Sequence, residues 1–139
     1  MIRRMSTFVL SHDLGKVLAP DGTLNILPNM VRIPDVSFIG WDRFPKEGLT
    51  REQPIPPLVP DLAVEVLSPN EIAEEVEEQI NDWLNHGCSM VWVVSPKQKT
   101  ITVHCSQTDI TILSENETLD GRDVVPGFQC SVQDIFTIP

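Results

Sequence analysis

Two apolar runs on either side of an amphipathic stretch limit what this chain can fold into. "DLAVEVLS" begins at Asp61 and "SMVWVVS" begins at Ser89. Short, nearly continuous runs rich in Val, Leu and Trp read as strands buried on both faces. Between them stands "EIAEEVEEQINDWLNHG". Its apolar residues Ile72, Val76, Ile80, Trp83 and Leu84 are spaced four, four, three and one apart, which is a helical period. Asn70 is the expected N-cap, acidic residues follow in the first turns, and Gly87 ends the helix. The glutamates at 74, 77 and 78 lie off the apolar stripe, but Gln79 falls on it, between Val76 and Trp83. A polar residue therefore points inward where a hydrophobe is expected.

The rest of the chain extends an α/β pattern. "MIRRMSTFVLSHDLG" reads as a short helix stopped near Gly15. "KVLAP" and "LNIL" flank the turn "PDGT", as in a hairpin. "VRIPDVSFIG" is a strand region, bent or at an edge because of Pro34. The next segment, "WDRFPKEGLTREQPIPPLVP", holds five prolines and many charges, and reads as a long exposed loop. After the second apolar run, "PKQK" is a turn, and "TITVHC" alternates as a half-exposed strand carrying a surface His104. "DITILS" is a further strand, "ENETLDGRDVVPGFQC" is turn-rich, and "SVQDIF" closes with a short helix or turn. With 139 residues, one domain spanning residues 1–139 is expected.

Composition excludes several functions. Apolar residues make up 41%, too many for a disordered chain. No apolar run reaches the ~18–20 residues of a membrane helix. Cys88, Cys105 and Cys130 form no CxxC pair and are odd in number, which fits reduced thiols in a cytoplasmic protein. Ten basic residues face 20 acidic ones, for a net charge of −10. That balance disfavours strong non-specific DNA binding, which relies on Lys and Arg neutralising phosphates.

The acids inside the strands are the candidate chemistry. Asp61 and Glu65 are four apart, so strand alternation places both on one face with Ala63 between them. Asp35 interrupts another apolar stretch, "IPDVSFI". Carboxylates converging from adjacent strands suit hard cations such as Mg²⁺ or Mn²⁺. The structural alternative is equally open: Asp61 bonds the strand entrance and Glu65 pairs with a basic residue.

Taken in order, "VRIPDVSFI", "VPDLAVEVLSPNE", the helix ending in "HG", "VWVVSP", "ITVH" and "LDGRDVVPGF" resemble the Uma-two family. These are bacterial proteins, abundant in cyanobacteria, of the PD-(D/E)xK restriction-endonuclease-like superfamily. The resemblance covers about residues 14–136. It implies an α/β fold with a central mixed sheet flanked by helices. It also implies a DNA endonuclease, acting as a homodimer, that holds a divalent metal between two acids beside a lysine. Asp35 matches the "PD" acid and Glu65 the acid of the "(D/E)xK" strand, with the Val66 carbonyl as a further implied metal contact. The lysine departs from the pattern. Leu67 stands two residues after Glu65, and the family's helical "EVEEK" reads "EVEEQ" here, so Gln79 occupies the lysine position. Glutamine can orient a water but carries no charge. The resemblance thus leaves two functions: an endonuclease impaired at Gln79, or a non-catalytic binding or assembly module keeping the fold. Family members also carry an N-terminal segment with an "E-L-x-x-G"-like motif, which is expected to be lacking here.

Overall fold

The computed structural model describes residues 2–18, 35–42 and 59–137. Six strands form one mixed sheet in the order β1-β2-β3-β4-β5-β6. They are β1 (Gly15–Leu18), β2 (Val36–Gly40), β3 (Leu62–Val66), β4 (Met90–Ser95), β5 (Thr100–His104) and β6 (Ile110–Leu113). The two apolar runs, β3 and β4, lie side by side and parallel, with Leu62 opposite Met90 and Glu65 opposite Val93. A parallel pair needs a crossover connection, and α2 (Ala73–Asn85) supplies it. Every other pairing in this sheet is antiparallel.

The sheet has an apolar layer on each face. On one side, Ala63, Val91 and Val93 pack against Ile80 and Trp83 of α2. On the other, Val64, Trp92, Ile101 and Val103 pack with Met5 and Val9 of α1 (Ile2–His12) and with Leu119, Val125 and Phe128. This explains why β4 is buried along its whole length. In β3, Leu62, Ala63 and Val64 are buried, Glu65 is half-buried and Val66 is exposed. The strand therefore runs from the core to the surface, and its acid lies near the surface end.

The helix expected after Asn70 begins later. Pro69 and Asn70 lie in a turn closed by the Glu71 N–H donating to the Ser68 carbonyl, and α2 starts at Ala73 with Ile72 as its N-cap. No side chain caps it; Glu74 and Glu75 in the first turn complement its dipole instead. The stop is as expected. Gly87 has φ +103°, its N–H donates to the Leu84 carbonyl, and the Cys88 N–H donates to the Trp83 carbonyl. This pairing is a Schellman motif, whose left-handed residue favours glycine.

One other expectation is revised. The turn-rich segment holds a second, two-stranded sheet, β7 (Thr118–Asp120) with β8 (Gln129–Ser131), leading into α3 (Val132–Phe136). Three-residue strands are too short for alternation to register. Lys16–Leu18 of "KVLAP" lie in β1, which pairs with β2; "LNIL", the other half of the expected hairpin, lies outside the described residues, as does most of the proline-rich loop.

Candidate metal centre

The register of β2 on β3 decides where the acids meet. Val36 pairs with Val64 and Ser37 with Ala63, so continuing the antiparallel register by one residue sets Asp35 opposite Glu65. The two acids are separated by about thirty residues of chain, and the sheet makes them neighbours. Asp35 Oδ2 accepts the Val66 N–H at 2.6 Å, which ties the residue just before β2 to the end of β3. Glu65 Oε1 accepts the Trp83 indole N–H at 2.9 Å. Trp83 belongs to α2 and its side chain is fully buried against the sheet, so its donor is rigidly placed.

Asp61 takes the structural role. Its Oδ2 accepts the Gly40 N–H at 2.7 Å, and its carbonyl accepts the N–H groups of Ser89 and Met90. It joins β2, β3 and the start of β4 at the entrance of β3, away from Glu65. Asp61 also lines a cavity of about 450 Å³ with Gly40, Asp42, Ser89 and Asp123. Neither Asp35 nor Glu65 lines that cavity.

Gln79 is half-buried on α2, one turn before Trp83. Its place on the inward stripe agrees with the periodicity. Among the described residues, no hydrogen bond of its side chain is seen. The Val66 residue is 40% exposed, and its N–H holds Asp35. The structure thus brings Asp35, Glu65 and Val66 together at the open end of β3, with Gln79 on the helix that covers this face.

The donor set fits a hard divalent ion by type: two carboxylates from adjacent strands and a backbone carbonyl beside them. Each carboxylate is also anchored by a protein N–H, the usual support for a metal ligand. Among the described residues, no group of three or more His, Cys, Asp or Glu side chains is placed to hold a metal. The pair described here is smaller than such a group.

Sequence reasoning missed Trp83. In the sequence it reads only as part of the apolar stripe, and the stripe does place it inward. Which group its N–H meets depends on how α2 lies on β3, and no periodicity carries that.

His104 departs from the surface position expected of it. It is half-buried on the α2 side of β5, and a second cavity, of about 250 Å³, is lined by His104, Glu77, Asn81 and Ile110. Burial pushes its pKa below the ordinary 6.5, with Glu77 pulling the other way. The folded state therefore prefers the neutral ring. Below about pH 6.5 the unfolded chain takes up a proton that the folded chain resists, so stability falls as pH drops. We expect the urea midpoint of the wild type to fall more between about pH 7.5 and about pH 5.5 than that of His104→Gln. Equal slopes would show that His104 titrates alike in both states.

The Uma2 (Uma-two) family model, described as "Putative restriction endonuclease", matches residues 1–133. A crystal structure of "a putative nuclease belonging to DUF820 from Anabaena variabilis ATCC 29413" superposes with a TM-score of 0.79 at 21% identity. The match covers 97% of this chain and 75% of that one. At that identity the likeness establishes the fold, which is the α/β mixed-sheet architecture the resemblance implied. No curated protein matches the chain. Among the described residues, no helix is long and apolar enough to cross a membrane.

Proposed function

The chain belongs to the Uma2 family of restriction-endonuclease-like proteins, and from that membership and the paired acids we propose that it is a metal-dependent DNA endonuclease. The observation that carries this reading is the placement of Asp35 opposite Glu65 at the open end of β3. Like charges on directly opposite strand residues repel one another, and a cation held between the two acids would offset that repulsion.

Asp35, Glu65 and the Val66 carbonyl would hold Mg²⁺ or Mn²⁺. When bound, such an ion polarises a phosphate oxygen and lowers the pKa of its water. Asp35 contributes one carboxylate from the start of β2 and is kept in place by the Val66 N–H. Glu65 contributes the other from β3. Gln79, in the family's lysine position by the resemblance, has an amide that can donate a hydrogen bond to a water or a phosphate oxygen. It supplies no positive charge, so the site works below the family's capacity. Cleaving both strands of a duplex calls for two such sites, which a homodimer provides.

The reading is tested by nicking of supercoiled plasmid with Mg²⁺ or Mn²⁺, beside Glu65→Ala. Metal-dependent nicking by the wild type that Glu65→Ala abolishes is the expected result. The rival function is a non-catalytic binding or assembly module, favoured by the uncharged Gln79 and the net charge of −10. Silence of the folded wild type, with no thermal stabilisation by Mn²⁺, would overturn the endonuclease reading and favour that rival.

A further inference from the structure

We infer that Trp83 is a positioning residue for Glu65: its indole N–H sets the direction in which the carboxylate faces the metal. The inference rests on the endonuclease reading above and adds to it a residue outside the acid pair and Gln79.

The contact is a directed one. Trp83 Nε1 lies 2.9 Å from Glu65 Oε1, across the interface between α2 and β3. The donor cannot wander. Trp83 is 0% exposed and packs with Ala63, Ile80, Val91 and Val93. Its own carbonyl accepts the N–H groups of His86 and Cys88 in the helix stop, so its backbone is pinned as well. Glu65 is in the opposite situation. It is half-buried on a strand that opens to solvent one residue later, at Val66. A glutamate there has three side-chain torsions to settle, and a fixed donor on one oxygen restricts them before any ion arrives. Asp35 is held the same way by the Val66 N–H. The two carboxylates thus have separate anchors, one from the helix and one from the backbone. Groups that hold a metal ligand in place usually matter about 10–100-fold in metal affinity.

A packing role alone predicts something different. Trp83 fills the α2 side of the core, so any substitution loosens it. The N–H, however, can be removed separately from most of the ring's apolar surface. We expect Trp83→Phe to weaken Mn²⁺ binding about 10–100-fold in titration calorimetry while its far-UV circular dichroism stays as in the wild type. Ile80→Val loosens the same cluster without a group on Glu65, and its Mn²⁺ affinity should match the wild type. Glu65→Ala should bind no Mn²⁺ at this site. If the wild type binds, Glu65→Ala does not, and Trp83→Phe binds like the wild type, the positioning role falls while the metal centre stands. Equal weakening in Trp83→Phe and Ile80→Val reduces Trp83 to packing and overturns the inference. A wild type that binds no Mn²⁺ removes the endonuclease reading, and this inference with it.

A second measurement covers the case in which Trp83→Phe does not fold. The chain has three tryptophans, so its ¹H–¹⁵N spectrum carries three indole N–H signals. With the Trp83 signal assigned in the wild type, Mg²⁺ should shift it, and Glu65→Ala should move it in the metal-free protein. A Trp83 signal unmoved by both changes would overturn the inference.

Discussion

Gln79→Lys should raise metal-dependent plasmid nicking by about 10²–10³-fold over the wild type. The basis is the position of Gln79 on the face of α2 that covers the sheet, one turn before the residue that touches Glu65. A lysine there has a longer stem than glutamine and ends in a positive charge. Preorganised charge near a reacting phosphate in a partly shielded site is worth far more than the same charge in water. The substitution should also be tolerated by the fold. Gln79 is only half-buried, the aliphatic stem of a lysine can lie along the apolar stripe, and nearby carboxylates favour the charged ammonium. On the proposed mechanism the double variant Gln79→Lys, Glu65→Ala should be silent, because the lysine would act only on a phosphate bound to a metal that the acids hold. Should Gln79→Lys cut no faster than the wild type while it stays folded and binds Mn²⁺, the missing charge is not what limits this site. Should it cut where the wild type is silent, a single residue separates the chain from an active nuclease.

The largest effect on stability is expected at Trp92. Its side chain is fully buried in the centre of β4, packed with Met5, Val64, Val103 and Phe128. Its ring lies 6.0 Å from that of Phe128, with the planes 28° apart. Trp92→Ala should cost about 3–5 kcal/mol, the range for a large aromatic removed from a core that cannot collapse around it. Trp92→Phe should behave quite differently. Among the described residues, the Trp92 indole nitrogen is buried without a hydrogen-bond partner. A buried unpaired donor costs about 1–3 kcal/mol. Phenylalanine gives up part of the ring's apolar contact but also removes that donor, so the two changes oppose each other. We expect urea unfolding to place Trp92→Phe within about 1 kcal/mol of the wild type. A loss near that of Trp92→Ala would show that the nitrogen is satisfied, or that ring shape dominates. The contrast with Trp83 is instructive: there the same N–H is used on Glu65, and removing it should affect the site.

The sequence and the tertiary structure determined different parts of this protein. "DLAVEVLS" and "SMVWVVS" were legible as buried strands because burial on both faces demands continuous hydrophobics, and the structure pairs them at the centre of the sheet. The stripe of α2 and its stop at Gly87 were legible for the same kind of reason: helix period and left-handed backbone are local properties. The start of α2 was not, because Asn70 is a good cap in isolation but Pro69 and the Ser68 turn compete for that stretch. β7 and β8 were missed because strands of three residues carry no period, and they are identified by each other's hydrogen bonds. The same distinction runs through the site. Asp35 and Glu65 stood out in the sequence as charges among hydrophobes, and the family resemblance named them together. Their being face to face follows from the register of β2 on β3, a long-range pairing that neither segment encodes alone. Asp61 looks as suitable as Glu65 by residue type and strand face. The structure separates them by position, since one bonds the strand entrance at Gly40 and the other lies at the open end under Trp83. Residue type and periodicity say which side chains point inward. Only the packing of α2 on the sheet decides which of them meet.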